Sequence, residues 1–286
     1  MPELPEVETI RSGLSDRIVK KTICQVEVLN RKSFVGKKAS VLGQRVVSVK
    51  RRAKILQLKL NHEESLLFHL KMTGQLILSD KAARFAGGHP SLDWLDDLPN
   101  KHTRITFTFD DGSRLFFNDL RKFGWCKVLS EAETVDEFTK YGPEPFSQKL
   151  NPSYLYKKAI KRKSITVKQF LLDQSVVAGI GNIYNDESLF LAKISPKTKA
   201  KNLNLADWQK IIKSIRSVLR KGIKYGGTTD SDYVNSEGKS GQMQNYLKVY
   251  HQTGNNCPNA CGETIQRIKI GGRGTYYCPS CQKETA

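Results

Sequence analysis

The sequence predicts an α+β protein with three parts: an N-terminal β-sandwich flanked by an N-terminal helix, a helical domain, and a short C-terminal β-hairpin. Three observations support this. Apolar and polar residues alternate through most of the chain up to Ser130, helical spacing prevails further on, and two close cysteine pairs frame the final hairpin. A chain of 286 residues is long enough for two domains with a sizeable core.

The N-terminal stretch MPELPEVETI predicts a short arm followed by a helix. Val7, Ile10 and Leu14 recur at helical spacing. Pro5 suits the first turn of a helix, and Glu6 suits its positively polarised end. We therefore expect residues 2–4 to form an extended arm that leads into this helix.

Three later stretches show the patterns of strands. RVVSVKRRAKILQLKL alternates, with Leu56, Leu58 and Leu60 on one face. SLLFHLKMTGQLIL predicts a pair of strands interrupted at Gly74, and RITFTFDDGSRLFF predicts a hairpin around Asp-Asp-Gly-Ser. The polar segment from residue 80 to residue 102 predicts a surface loop.

A segment rich in proline, YGPEPFSQKLNPSY, predicts the link between two domains. The following region is helical, and an apolar stripe between Leu205 and Arg220 indicates ordinary core packing. The expected boundaries are residues 1–134 for the β-sandwich domain, 135–152 for the linker, 153–250 for the helical domain and 251–286 for the C-terminal hairpin.

The charge balance favours a polyanionic partner, most simply nucleic acid. Lysine and arginine number 47 against 28 aspartates and glutamates, a formal net charge of +19. A basic proteome or a ribosome-associated protein is the alternative explanation. No stretch of about eighteen apolar residues predicts a membrane span, and the N-terminus lacks the pattern of a signal peptide. We therefore expect a cytoplasmic protein.

The cysteines fall into two groups. Cys24 and Cys126 stand alone among strand-like residues, so we expect two buried thiols that pack as small apolar groups. The other four form two close pairs around a short hairpin, which predicts one structural Zn²⁺ whose four ligands all come from the protein. The expected ligands are Cys257, Cys261, Cys278 and Cys281. Arg273, at the hairpin turn, is then held rigidly.

The stretch SVVAGIGNIYNDESLF predicts a glycine-rich turn that leads into a helix beginning near Asn182. Backbone N–H groups at such a helix start can bind a phosphate. The same turn can also serve helix packing alone, and the residues by themselves do not decide between the two.

Pro2 can supply a nucleophile if the initiator methionine is removed. Its secondary amine could attack a sugar C1′ and form an iminium ion, which is cationic without further protonation. Terminal amines titrate near pH ~8, so a useful neutral fraction exists. Glu3 is placed to act as acid or base. The alternative is a disordered arm, as is common at chain termini.

Together these motifs resemble the formamidopyrimidine-DNA glycosylases, bacterial enzymes that excise 8-oxoguanine and ring-opened purines. The resemblance covers nearly the whole chain, and the order of its motifs is highly specific. The motifs are PELPEVET at the start, RRAK at 51–54, HLKMTG at 69–74, DLRKFG at 119–124, GPEP at 142–145, GIGNIYNDESLF at 179–190, GGTT at 226–229 and the terminal cysteine hairpin.

The resemblance implies a role for each matching residue. Pro2 is similar to the nucleophile, Glu3 to its general acid, and Glu6 to a second acid that positions the nucleotide. Phosphate contacts are implied for Lys54, His69, Asn182 and Arg273, and Lys54 and Arg273 join Pro2 and Glu3 as the expected catalytic residues. His102 and Lys163 complete the expected DNA contacts. The family also implies that the helical domain contains a helix–two-turn–helix motif.

Met72, Arg121 and Phe123 match the family's wedge. In this role Met72 and Phe123 fill the space left by the extruded base, and Arg121 hydrogen-bonds the orphaned cytosine. The simpler interpretations are a core methionine, a surface arginine and a packed phenylalanine.

Two further features bear on the branch of the family. Residues 228–245 align with a mobile loop that covers the flipped oxidised purine, and their polar, glycine-bearing composition suits a lid. This loop, Leu4 and the RKFG wedge favour the oxidised-purine branch over the oxidised-pyrimidine branch. The first cysteine pair, CPNAC, departs from the family because three residues separate its cysteines where two are common.

The expected function is therefore base-excision repair by a glycosylase that is also an abasic-site lyase. Pro2 would form the Schiff base, and β,δ-elimination would then cleave the strand. The expected partner is damaged double-stranded DNA, bound by a monomer in the bacterial cytoplasm and nucleoid. An oxidised-pyrimidine glycosylase and a non-catalytic zinc-ribbon DNA-binding protein are the alternatives.

Overall fold

A computed structural model describes residues 1–80, 84–88, 97–228 and 241–284. The chain divides into two compact units, one formed by residues 1–139 and 222–244 and the other by residues 140–221 and 245–286. Within the described ranges, no helix is long and apolar enough to cross a membrane. The finer domain boundaries expected from the sequence stay a prediction.

The first unit contains two five-stranded sheets that face each other around one apolar core. One sheet has the strand order β1-β8-β9-β6-β7 and the other the order β2-β10-β5-β4-β3. The strands are β1 (Ile23–Val28), β2 (Phe34–Val35), β3 (Val46–Arg52), β4 (Ile55–Leu60), β5 (Ser65–His69), β6 (Gly74–Ser79), β7 (Arg84–Gly88), β8 (Thr103–Phe109), β9 (Arg114–Asp119) and β10 (Trp125–Leu129). The predicted β-sandwich is confirmed.

Helix α1 (Leu4–Ile18) flanks the sandwich, as the sequence predicts, and its apolar face joins the core. It contacts β3 and β7. The contact with β7 is so close that a Cβ atom built on Gly87 lies 2.5 Å from Cγ1 of Ile10. Gly87 is therefore required for the approach of the helix to the edge strand.

The structure differs from the sequence expectations at the segment 80–102 and at Cys24. The segment 80–102 is not a loop throughout, because residues 84–88 form the edge strand β7 and pair with β6. Cys24 is exposed, because it lies on edge strand β1 next to an irregularity in the pairing with β8. Cys126 is buried as expected, and burial raises the pKa of its thiol.

The hairpin predicted around Asp-Asp-Gly-Ser is confirmed between β8 and β9, with Gly112 at a φ of 81°. The expected break at Gly74 comes slightly earlier in the chain. Residues 70–73 connect β5 to β6, and Gly74 is the first residue of β6. This connection passes from one sheet to the other, and so does the connection 120–124 between β9 and β10.

The remaining helices follow the sandwich. They are α2 (Glu131–Thr139), α3 (Pro152–Ala159), α4 (Val167–Leu172), α5 (Asn182–Ala192) and α6 (Leu205–Lys224). The predicted apolar stripe of α6 is buried, and Trp208 packs on Phe170 with ring centroids 5.4 Å apart. The Arg216 guanidinium donates to the carbonyls of Pro145, Ser147 and Leu150. These three hydrogen bonds fix the segment 145–150 against α6.

The chain ends in the predicted hairpin, formed by β11 (Gln266–Ile270) and β12 (Arg273–Tyr277). Gly271 and Gly272, with φ of 56° and 80°, make the turn before Arg273. These left-handed conformations favour glycine, so the sequence Gly-Gly-Arg-Gly fixes where the turn lies.

The contact between α1 and β7 gives a stability prediction. Gly87→Ala should lower the free energy of unfolding by about 1–3 kcal/mol, because the added methyl overpacks the core. Ile10→Ala removes the clashing atom, so the same change should cost less in an Ile10→Ala background. Denaturant unfolding of the four proteins of this cycle measures the difference, and equal penalties in both backgrounds would show that the two residues do not clash.

Candidate active site and nucleic-acid interface

The N-terminal arm is fixed in the structure. Pro2 is buried and Glu3 is 3% exposed, directly before the first residue of α1. The backbone N–H of Glu3 donates to the Glu6 carboxylate at 2.8 Å, and the Glu3 side chain accepts from the backbone of Glu6. This reciprocal capping box binds the arm to the helix. The alternative of a disordered arm does not describe this structure, and Leu4 belongs to the helix, not to the arm.

Glu6 also contacts the segment at residues 227–228. One of its oxygens accepts the backbone N–H of Thr228 at 2.9 Å. A Cβ atom on Gly227, which has a φ of 86°, would lie 2.7 Å from the same oxygen. Glu6 thus connects the N-terminal arm to the chain that precedes residue 229.

The predicted recognition loop, residues 228–245, lies largely outside the described residues, since 229–240 are not among them. Its two ends are close together. The N–H of Met243 donates to the carbonyl of Gly227 at 3.1 Å, and that of Gln242 donates to the carbonyl of Tyr225 at 2.9 Å. Both ends of the loop therefore stand next to Glu6.

Lys54 lies in the tight turn between β3 and β4. Arg51 fixes this turn, because its guanidinium donates to Glu8 at 2.9 Å and to the carbonyl of Ala53 at 2.9 Å. Lys54 is 4% exposed. The next residue, Ile55, pairs with His69 across the sheet, so the turn brings two predicted phosphate contacts together.

His69 is buried among positive charges. Burial, together with the nearby charges of Lys71, Lys54 and Lys127, lowers the pKa of His69 to about 3. Its Nδ1 accepts the backbone N–H of Lys71 at 3.0 Å. The imidazole is therefore neutral at pH 7 and carries its proton on Nε2, which makes that atom a hydrogen-bond donor without a positive charge.

The three wedge candidates lie on the two connections that cross between the sheets. Met72 is 41% exposed and Phe123 is 55% exposed, so neither is a core residue. The Arg121 guanidinium lies 4.8 Å from the centroid of the Phe123 ring. His102 is partly buried at the start of β8, and its carbonyl accepts the N–H of Asp119 at 2.9 Å.

In the second unit, Asn182 begins α5 as predicted. Its side-chain Nδ2 donates to the carbonyl of Gly274 at 2.9 Å, so it also holds the hairpin residue next to Arg273. Arg273 is exposed at the hairpin turn, and Lys163 is exposed between α3 and α4. The structure brings Asn182 and Arg273 close together through the bond to Gly274. Lys163 is in the connection between α3 and α4.

A buried ion pair that the sequence did not reveal supports this arrangement. Lys168 and Asp186 are fully buried, with Nζ and Oδ1 2.6 Å apart. Lys168 also donates to the carbonyl of Gly274 at 3.1 Å, and Asp186 accepts the N–H of Tyr276 at 3.0 Å. The pair therefore holds one edge of the strand that begins at Arg273, at Gly274 and Tyr276. Charged residues on two helices give no sequence signal of such a pairing.

The four cysteines form a zinc site. Their sulfur atoms all lie within 4.8 Å of one another, with 3.7 Å between Cys257 and Cys281 and 3.5 Å between Cys261 and Cys278. Tetrahedral Zn–S bonds of about 2.3 Å require sulfur atoms about 3.8 Å apart, so the four thiolates fit one Zn²⁺. All four positions are filled by protein, which suits a structural ion.

The wider first cysteine pair does not prevent this convergence. Ala260 adopts a left-handed conformation with a φ of 51°, and its N–H donates to the carbonyl of Cys257 at 2.9 Å. The extra residue is thus taken up in a tight turn. The N–H of Cys257 donates to the carbonyl of Glu263 at 2.8 Å, which links the two ends of the segment that contains this cysteine pair.

Three protein-family models match the chain. The N-terminal domain of formamidopyrimidine-DNA glycosylase matches residues 1–126, its H2TH domain matches residues 141–234, and a zinc finger found in FPG and IleRS matches residues 254–283. The H2TH match confirms the predicted helix–two-turn–helix region.

Curated relatives and solved structures cover nearly the whole chain. The formamidopyrimidine-DNA glycosylases of Desulforamulus reducens and Carboxydothermus hydrogenoformans are 39% and 40% identical, over 99% of this chain and 99% and 100% of theirs. Two Lactococcus lactis Fpg structures are also similar, a mutant with Fapy-dG DNA (35% identity) and an Fpg with abasic-site DNA (34%). Each has a TM-score of 0.86 and covers 99% of this chain and 100% of its own.

The burial of His69 predicts a pH dependence of stability. The unfolded chain binds a proton at His69 below pH ~6.5, whereas the folded protein binds it only near pH 3. The unfolded state therefore holds more protons between these values, and the free energy of unfolding attributable to His69 falls as the pH is lowered, by up to ~1.4 kcal/mol per pH unit.

His69→Gln should abolish this contribution. Denaturant unfolding of both proteins between pH 4 and pH 6.5 tests it, because the difference between the two curves isolates His69 from the other titrating groups. Parallel curves would mean that the folded protein charges His69 like the unfolded chain.

Proposed function

This chain belongs to the formamidopyrimidine-DNA glycosylase family, and from that premise we propose that it excises oxidised purines from double-stranded DNA and then cleaves the strand. The substrates are 8-oxoguanine and formamidopyrimidines. The observation that carries the proposal is the capping box that buries Pro2 and Glu3 beside Glu6. A nucleophile must be held in one geometry to attack efficiently, and this arm is so held.

The chemistry requires removal of Met1, which turns the tertiary amide nitrogen of Pro2 into a secondary amine. The amine attacks C1′ of the damaged nucleotide, the glycosidic bond breaks, and the base leaves with a proton. Glu3 protonates the sugar ring oxygen as the ring opens. The resulting iminium withdraws electrons from the sugar, so that successive β- and δ-eliminations break the bonds to the 3′ and 5′ phosphates. Hydrolysis of the iminium then returns Pro2.

Phosphate contacts are assigned in both units. Lys54 supplies a charge, and the neutral His69 supplies a hydrogen bond through Nε2. The second unit contributes Asn182, Arg273 and Lys163 to the DNA contacts, and the first unit also contributes His102. The net charge of +19 supports a DNA partner. We assign the hairpin zinc to the positioning of Arg273, because the four thiolates close the metal's coordination and leave no position for a reacting water.

The wedge role rests on exposure. Met72 and Phe123 expose large apolar side chains on adjacent connections, and such groups fill the gap left when a base is extruded. Arg121 is held beside Phe123, where its guanidinium can donate to the orphaned cytosine. We assign Glu6 the role of positioning the flipped nucleotide, because it joins the arm to Thr228, the residue before the segment 229–240.

Excision of oxidised pyrimidines is the second candidate. It is favoured by one similar structure, a complex of wild-type Lactococcus lactis Fpg with DNA that contains an oxidised pyrimidine, at 35% identity and a TM-score of 0.84. Release of 8-oxoguanine opposite cytosine and of thymine glycol, compared under single-turnover conditions, separates the two activities. Faster release of thymine glycol would overturn the assignment to oxidised purines.

The N-terminal amine gives the sharpest prediction for the reaction. A protein with a cleavable N-terminal extension keeps Glu3, Lys54 and the DNA-binding residues but lacks the amine. It should form no borohydride-trapped adduct with abasic-site DNA, and proteolytic removal that leaves Pro2 first should restore trapping. The two forms should bind an uncleavable abasic analogue with similar affinity. Equal trapping by the extended protein would contradict the role of the Pro2 amine, and absence of trapping after removal would indicate a non-catalytic DNA-binding protein.

Lys54 provides a prediction for binding. Lys54→Ala should weaken binding to damaged and undamaged duplexes alike and should reduce the dependence of log Kd on log salt by about one phosphate contact. Lys50→Ala, which removes an exposed lysine from the neighbouring strand β3, is the matched control and should change the slope less. Fluorescence anisotropy over a range of salt concentrations measures both, and a changed preference among damaged bases would show that Lys54 reads the base.

A further inference from the structure

The two connections that carry the wedge candidates leave the same end of the sandwich. The first, residues 70–73, holds Met72, and the second, residues 120–124, holds Arg121 and Phe123. Gly74 pairs directly with Asp119 across the β6–β9 ladder, and these two residues flank the connections. Backbone pairing brings the connections together but does not by itself fix the conformation of either one.

A single buried carboxylate joins them. Asp119 has no exposed surface. Its Oδ1 accepts the hydroxyl of Thr73 from the first connection and the N–H of Arg121 from the second, the latter at 3.2 Å. Its Oδ2 accepts the N–H of Gly124 at 2.6 Å, at the far end of the second connection.

Asp119, Thr73 and the backbone N–H groups of Arg121 and Gly124 form one hydrogen-bonded joint, in which Thr73 bonds to both Asp119 and Arg121. The Oγ1 of Thr73 donates to Asp119 and accepts the N–H of Arg121 at 3.0 Å. Thr73, the residue next to Met72, is therefore hydrogen-bonded directly to the backbone of the wedge arginine. The space around the joint is tight. A Cβ atom on Gly124 would lie 3.1 Å from Oδ2 of Asp119 and 2.7 Å from the ring of Phe117.

The backbone of Asp119 is anchored as well. Arg104 is buried, and its Nε donates to the carbonyl of Asp119 at 2.8 Å. The same guanidinium places a positive charge near the buried carboxylate. Hydrogen bonds to a buried charged acceptor are stronger than neutral ones, and removal of a partner leaves a buried polar group unsatisfied. The joint is therefore the stiff element from which the exposed wedge side chains project.

We propose that Asp119 and Thr73 are positioning residues that hold Met72, Arg121 and Phe123 as one rigid wedge. The proposal rests on the wedge role given to these three side chains in the proposed function. Asp119 and Thr73 themselves touch neither the lesion nor the orphaned base. Loss of the joint should leave the reactive arm intact but should let Arg121 move relative to Met72. Recognition of the base opposite the lesion should then become less selective.

The test measures selectivity for the opposite base. Thr73→Val removes the hydroxyl at nearly constant volume, Thr73→Ala removes it without crowding, and Thr73→Ser restores it. The ratio of 8-oxoguanine excision rates opposite cytosine and opposite adenine should fall about tenfold in the Val and Ala variants, the effect of about one lost hydrogen bond. The ratio should stay within about twofold of wild type in the Ser variant. Asp119→Asn should reduce the ratio at least as far as Thr73→Val.

Borohydride trapping on a single-stranded abasic oligonucleotide is the internal reference, because no base pair is probed there. Wild type and all Thr73 variants should trap it alike. A ratio near wild type in both Thr73→Val and Thr73→Ala would overturn the positioning role. Loss of selectivity in the Ser variant would do so too, because the hydroxyl would not be the group that matters. Failure of the wild-type protein to trap the oligonucleotide would instead contradict the proposed lyase chemistry.

Discussion

The reciprocal capping of α1 by Glu3 and Glu6 is the constraint on which the rest of the proposed site depends. A chain terminus normally loses little by moving freely, and ordering it costs conformational entropy. Here the cost is offset by burial of Pro2 and Leu4 and by hydrogen bonds at the helix start. Because Glu6 also binds Thr228, one carboxylate fixes both the arm and the chain that precedes residue 229.

The sandwich contributes rigidity and direction. Its helix and both sheets share one apolar core, and this core anchors the strand ends from which the turns and crossing connections extend. Lys54, His69 and the wedge candidates all lie in such turns or at strand ends. In the second unit, buried polar groups serve the same purpose: Lys168 and Asp186 hold the strand behind Arg273, and the thiolate cluster closes the hairpin from its other end. The side chains with a proposed DNA role are thus positioned by buried neighbours, which are apolar core residues in the first unit and polar groups in the second.

Sequence periodicity and spacing predicted the elements whose signals are local. The helix at Val7, Ile10 and Leu14, the β8–β9 hairpin and the four zinc cysteines are such cases. Strand β7 was missed because its Gly-Gly ending reads as a loop, and only pairing with β6 and contact with α1 make it a strand. The joint at Asp119 and Thr73 was not predictable for the same reason. Its partners lie 46 positions apart in the sequence, and only the fold brings them together.

The identity of the atom that bonds to the DNA is the most direct test of the central claim. The borohydride-reduced complex with abasic-site DNA can be digested with protease and nuclease, and the modified peptide sequenced by mass spectrometry. The capped N-terminal arm predicts a peptide that begins at Pro2 and carries the sugar remnant on its amine. A remnant on a lysine, such as Lys54, or on a peptide that retains Met1, would contradict it.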